Sequence, residues 1–156
     1  MNIFFIDKCP VMSAIQLCDK HVVKMVLETA QMCSTAIHHW CWGDEMILDH
    51  VYKSAYKNHP MTVWVRENDA NMLLAVRREY KCRYGKDHKS TTILQNIAGY
   101  MFHDNFDEDY TLHTEPPQCM PDEFKCDDYV EAYRAYYRTD KAHILNWTNR
   151  PQPDWI

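Results

Sequence analysis

A chain of 156 residues with 46% hydrophobic and 13% aromatic residues has enough apolar side chain for one domain with a real core and is not a disordered segment. Its formal net charge of −5 argues against a long duplex-DNA footprint, because neutralising many phosphates calls for a basic surface. The longest apolar runs, such as Met72-Leu73-Leu74-Ala75-Val76, are too short to span a bilayer. The N-terminus meets Asp7 with no basic region before it and does not read as a secretory leader, so the expected partner is not a membrane and the expected location is cytoplasmic.

In chain order, residues 2–6 read as a short buried strand or extended segment. Pro10 suits the first turn of a helix over about 11–18. Asp19 is placed to cap either its continuation or a fresh helix over 20–40, which Gly43 then stops. A short helix over 46–56 leads to Asn58-His59-Pro60, where Asn58 is a candidate cap and Pro60 a first-turn residue. The stretch 60–84 holds neither Gly nor internal Pro and ends at Gly85, so one long helix is expected. A basic link over 86–92 precedes a helix over 91–103 and a loop over 104–121 that contains Pro116-Pro117 and Pro121. Two helices follow, about 125–138 and 140–147, and the tail from Asn149 runs extended with Trp155 docked on the body. Three glycines and one weak strand signal predict an all-α or α-dominated fold, a single domain over 1–156 with no internal repeat.

Seven cysteines with no CxxC pair read as reduced thiols, several of them buried as small hydrophobes. His38-His39-Trp40-Cys41 is the closest approach to metal-ligand spacing and has no second pair at a recognisable offset, so no metal and no cofactor are expected. Charge is segregated. Arg77, Arg78, Lys81, Arg83, Lys86, His88 and Lys89 crowd one stretch, while the chain after Asp104 is acidic. Arg77, Arg78, Lys81, Arg83 and Lys86 are therefore the candidate phosphate contacts, and any such binding should weaken with salt along a shallow slope.

The chemistry-bearing stretch is 19–35. At about 100° per residue His21, Lys24, Glu28, Gln31 and Thr35 fall within roughly 80° of helix circumference. Val22, Met25, Val26, Ala30, Cys33 and Ile37 take the core side. An imidazole, an amine, a carboxylate and an amide thus stand side by side, either as a site or as a solvated face with Lys24–Glu28 an ordinary i,i+4 pair. The tyrosines at 129, 133, 136 and 137 offer either stacking platforms for bases or core.

Asp19, His21 and Glu28 have the spacing of Asp-x-His followed by a glutamate seven residues on. Leu27-Glu28-Thr29-Ala30-Gln31, Asn58-His59-Pro60 and Pro121-Asp122-Glu123-Phe124-Lys125 follow in order. This collinear set resembles the pyrimidine-dimer DNA glycosylase/AP lyase family of phages and bacteria, and the chain is similar in character to small phage proteins, whose place would be the host cytoplasm. The resemblance implies a fold of packed helices and a DNA substrate. It also implies an amine nucleophile that forms an imine with the deoxyribose, and Glu28 as the acid/base. The amine would be that of Met1, since Asn2 is bulky enough to keep the initiator in place, or that of Lys24. His21 would orient Glu28 or a substrate phosphate. His59, Gln31 and Arg66 would border the cleft where helices 20–40 and 60–84 pack. Leu27 and Gln31 stand where the phage enzymes carry DNA-binding arginines, which leaves open a nucleotide ligand or a non-catalytic binder on the same fold. The sequence assigns no oligomeric state.

Overall fold

Pro10 opens the first helix at the position where its missing N–H costs nothing, and the chain then continues as helices wherever apolar periodicity allows. The computed structural model describes residues 2–41, 45–67, 72–101 and 114–156. Within them lie α1 (Pro10–Gln16), α2 (Asp19–Trp40), α3 (Glu45–Leu48), α4 (Pro60–Glu67), α5 (Met72–Tyr84), α6 (Thr91–Met101) and α7 (Tyr129–Thr139). Two 3₁₀ turns, Asp122–Phe124 and Ala142–Ile144, flank α7. No strand occurs among the described residues, so the fold is all-α, and none of the described helices is long and apolar enough to cross a membrane.

Helix α2 is the centre of the molecule. It packs against α4, α5 and α6, and the N-terminal segment covers part of its polar arc, so that His21, Glu28 and Thr35 are buried along with the apolar side. Solvent reaches mainly the strip bearing Lys20, Val23, Lys24 and Leu27 and the last turn at His39 and Trp40. A helix buried on most of its circumference has to satisfy its polar groups inside, and it does. Thr35 Oγ1 accepts from Ala55 N–H at 3.1 Å, Ser34 Oγ from Tyr52 N–H at 3.1 Å, and His38 Nε2 meets Tyr52 O at 3.0 Å. These bonds explain why only Glu45–Leu48 of the expected 46–56 helix forms. The backbone of 52–55 is paired with side chains of α2 instead of with itself.

Residues 3–6 are extended and buried. They have no strand partner; their backbone groups are met by side chains. Ser13 Oγ donates to Phe4 O at 2.9 Å and accepts from Ile6 N–H at 3.2 Å, and Arg134 Nε donates to Ile6 O at 2.9 Å.

Other boundaries move for stated reasons. Asp19 is the first residue of α2 rather than its cap, because its carboxylate is taken by Thr148, Asn146 and Arg83. Burial pushes that carboxyl up, but the bonds from Thr148 and Arg83 outweigh it and hold the group below the usual range. Asn58 does not cap α4; His59 Nδ1 does, accepting from Met61 N–H at 3.2 Å. The expected 60–84 helix is described as α4 and α5, with 68–71 between them outside the described residues, as are Gly43 and most of the expected 104–121 loop. Gly85 ends α5 at φ 67°, its N–H bonded to Lys81 O at 2.9 Å, a left-handed stop that glycine adopts without strain. Helix α7 starts at Tyr129 rather than at 125 because Asp128 caps it, accepting from Val130 and Glu131 N–H. The expected 140–147 helix is reduced to one turn, since Asn146 O accepts from Asp19 N–H at 2.8 Å and holds the chain extended.

The tail docks as expected. Trp155 Nε1 reaches Gln16 Oε1, and the Arg134 guanidinium sits 5.2 Å over the indole ring.

Candidate active-site cleft

The carboxylate of Glu28, 9% exposed, sits at the foot of a cleft of about 480 Å³. Its Oε2 accepts from the backbone N–H of Asn2 at 2.8 Å, and its Oε1 lies 3.3 Å from Lys24 Nζ. The start of the chain is thus held against the catalytic candidate. Asn2 is itself fixed. Its Nδ2 donates to Cys119 O at 2.9 Å, and its Oδ1 accepts from Ile3 N–H at 2.9 Å and lies 3.0 Å from the Tyr133 hydroxyl. Met1 lies outside the described residues.

His21 lines the same cleft but does not touch Glu28. Its ring stacks on Phe4 at 4.2 Å, and its Nδ1 meets the hydroxyl of fully buried Tyr137. That hydroxyl already accepts from Cys18 N–H, and among the described residues its only other acceptor is a thiol sulfur at 3.7 Å. The imidazole nitrogen is the better acceptor, so the Tyr137 proton points to Nδ1 and His21 carries its own proton on Nε2, free for a ligand. Burial pulls the His21 pKa from 6.5 to about 3, with the charges of Lys141 and Lys24 adding to the effect. At neutral pH the ring is an uncharged hydrogen-bond donor, not an acid.

A measurable consequence follows from the sign of this shift. Below pH 6.5 the unfolded imidazole takes up a proton that the folded one refuses until about pH 3, so acid favours unfolding across that window. The contribution is up to about 1.4 kcal/mol per pH unit. Urea unfolding of His21→Gln between pH 4 and 7 should show a shallower pH dependence than the native chain. Parallel curves would mean that His21 is solvated.

His59 joins the cleft from the head of α4, with Nδ1 committed to Met61. Burial lowers its pKa while Glu28 opposes. Lys20, Lys24, Lys141 and His143 surround the mouth, and Tyr136 and Cys119 form a wall shared with a wider cavity of about 880 Å³ lined by Pro116, Gln118 and Lys125. The Lys141 ammonium is steered by Asp140 at 2.6 Å and rests 4.6 Å over the Tyr136 ring. Lys20, Lys24 and Lys141 outnumber the carboxylates beside them, Glu28 and Asp140, which gives a local positive field on an acidic protein, suited to an anionic substrate.

The other sequence candidates lie elsewhere. Gln31 and Arg66 do not line the cleft, and Arg66 Nη1 instead donates to Lys57 O at 3.1 Å. Trp64, two residues before Arg66 on the same helix, is core, with its Nε1 bonded to Thr114 Oγ1 at 2.9 Å. Arg83 as a phosphate contact is overturned. It is fully buried, and its five N–H groups go to Glu79, Asp19, Leu17 O and Ile15 O, leaving none for a ligand. Lys86 flanks a shallow groove with Tyr80 and Tyr84, and Arg77 lines a cavity that shares no residue with the cleft. Of the four tyrosines on α7, Tyr133 and Tyr137 are core and Tyr136 reaches the cleft. Lys20, Lys141, His143 and Asn2 went unread. The first three stand in or beside segments whose charge pattern looked ordinary, and Asn2 is marked only by its nearness to the chain start. Among the described residues no group of three His, Cys, Asp or Glu side chains is placed to hold a metal ion.

The family model of pyrimidine dimer DNA glycosylases matches residues 1–92, a span that contains Asn2, His21, Lys24, Glu28 and His59 but not the wall from Cys119 to His143. No curated protein and no solved structure matches the chain.

Proposed function

The chain belongs to the pyrimidine dimer DNA glycosylase family, and on that premise we propose that it cleaves N-glycosidic bonds of damaged or modified DNA with an amine nucleophile and Glu28. The observation that carries this reading is the 2.8 Å bond from Asn2 N–H to Glu28 Oε2, which holds the backbone of the residue that follows Met1 against the carboxylate. Lys24 Nζ is the rival amine. A terminal amine ordinarily titrates near 8 and a lysine amine above 10, so the neutral, nucleophilic fraction at pH 7 is at least about a hundredfold larger for the former.

The amine lone pair forms a bond to C1′ as the glycosidic C–N bond breaks and its electrons leave with the base. Glu28 accepts the proton shed by the amine and passes it to the ring oxygen as the sugar opens to an imine. Restored as a carboxylate, it removes the C2′ proton, and the C3′–O bond breaks with its electron pair on the departing phosphate. Neutral His21 donates from Nε2 to a phosphate or sugar oxygen, while Lys20, Lys24 and Lys141 offset phosphate charge. His59 borders the sugar.

A second reading, a nucleotide-directed or non-catalytic phage accessory protein, is favoured by Leu27. This apolar side chain is 38% exposed beside Glu28 where the resemblance places an arginine.

Borohydride reduction during incubation with abasic duplex separates the two. An imine-forming lyase gives a covalent protein–DNA adduct, and a binder gives none.

A further inference from the structure

The basic stretch of α5 builds a second cavity, away from the cleft. Arg77, Arg78 and Lys81 face His88, Thr91 and Thr92 across about 390 Å³, and none of these residues lines the cleft around Glu28. Two side-chain atoms of this lining, Arg77 Nε and Thr91 Oγ1, are buried without a hydrogen-bond partner, although Thr91 is only 6% exposed. Native structures seldom leave such groups unmet unless something else meets them.

The remaining groups point the same way. Thr91 and Leu94 N–H are bonded to His88 O and Ser90 O, and Thr92 and Ile93 stand in the first turn of the eleven-residue α6, where a backbone N–H has no acceptor within the helix. Such a turn favours an anion. His88 Nδ1 accepts from Ser90 N–H at 3.0 Å, which puts the neutral ring's proton on Nε2 as a further donor. Three cations stand against one carboxylate, Asp87, and that one is tied to Lys81 at 3.1 Å. A water could meet one donor, but it could not balance the surplus of positive charge. An acceptor-only anion with several oxygens does both.

We infer that the cavity between α5 and the start of α6 is a phosphate-binding site, taking the phosphate of a nucleic-acid backbone or of a free phosphate ester. Its ligand sits on Arg77 Nε, Thr91 Oγ1 and the Thr92 N–H, with Arg78 and Lys81 supplying charge.

Thermal unfolding in inorganic phosphate against chloride at matched ionic strength tests this without any demand on the cleft. The native chain should show a phosphate-specific, saturable rise in Tm. Thr91→Val keeps the shape and deletes an unpaired hydroxyl, so without phosphate it should be as stable as the native chain or more so, yet the apparent phosphate Kd should rise tenfold or more. Arg77→Gln should do the same to the Kd. Abasic duplex binding then names the source. Affinity lost in step with the phosphate response identifies a backbone phosphate, and affinity retained identifies a free phosphate ester. A native chain indifferent to phosphate, or two variants that respond to it as the native chain does, would overturn the assignment.

Discussion

Glu28→Gln should lower turnover on abasic or damaged duplex on the order of 10²-fold or more, while DNA affinity changes little. The amide keeps the shape of the side chain, and its oxygen still accepts from Asn2 N–H, which now lies 2.8 Å from Oε2. What it loses is the ability to take a proton from the amine and then from C2′. Steady-state and single-turnover nicking assays separate that loss from binding. If Glu28 were only half of a helix-surface pair with Lys24, stability and binding would move by under roughly 0.5 kcal/mol and turnover would survive. The burial of Glu28 and its grip on the N-terminal segment are what set the large effect against the small one.

Arg83→Met should destabilise the fold by about 3–5 kcal/mol, the usual result of removing one partner from a buried ionic cluster. The guanidinium links three parts of the chain. It holds Glu79 on its own helix, Asp19 at the start of α2, and the carbonyls of Ile15 and Leu17 at the end of α1. Glu79 is also clamped by Arg150 at 2.9 and 2.8 Å, so the C-terminal tail is fastened through the same carboxylate. Without Arg83, Glu79 keeps Arg150, but Asp19 and two buried carbonyls lose a donor. Lys86→Met, three residues on and exposed, serves as the control and should stay within about 0.5 kcal/mol. Urea unfolding of both variants measures the contrast, and similar midpoints would mean that the cluster adds nothing to stability.

The same residue marks what the sequence could and could not reveal. Helical periodicity exposed α2, and Pro60 and Gly85 bounded the α4–α5 stretch, because those signals act locally. Arg83 read as a surface cation because nothing local says that the ends of α1 and α2 close over it. Its partners come from positions 15, 17, 19 and 79, and only folding assembles them. The polar arc of α2 was visible as a row of His21, Lys24 and Glu28, but whether it faced solvent depended on the N-terminal segment crossing it, a long-range contact. The assembly of His59 with that row followed from expecting helices 20–40 and 60–84 to pack. In the far wall Tyr136 had been read as a stacking platform or core, but Lys141 and His143 were not legible because the 140–147 stretch looked helical, and its path depends on Asp19 more than a hundred residues earlier. His21 was legible as a site candidate, but its partner was not. It turns to Tyr137 rather than to Glu28.

The proposed nucleophile is the α-amine of Met1, the residue before the Asn2 N–H that bonds Glu28. Peptide mass mapping of the borohydride-trapped adduct formed with abasic duplex tests it most directly. The deoxyribose remnant is expected on the N-terminal α-amine, with Lys24→Met still trapping and an N-terminally extended chain failing to trap. A remnant mapped to Lys24, or trapping that survives an extended N-terminus, would contradict it.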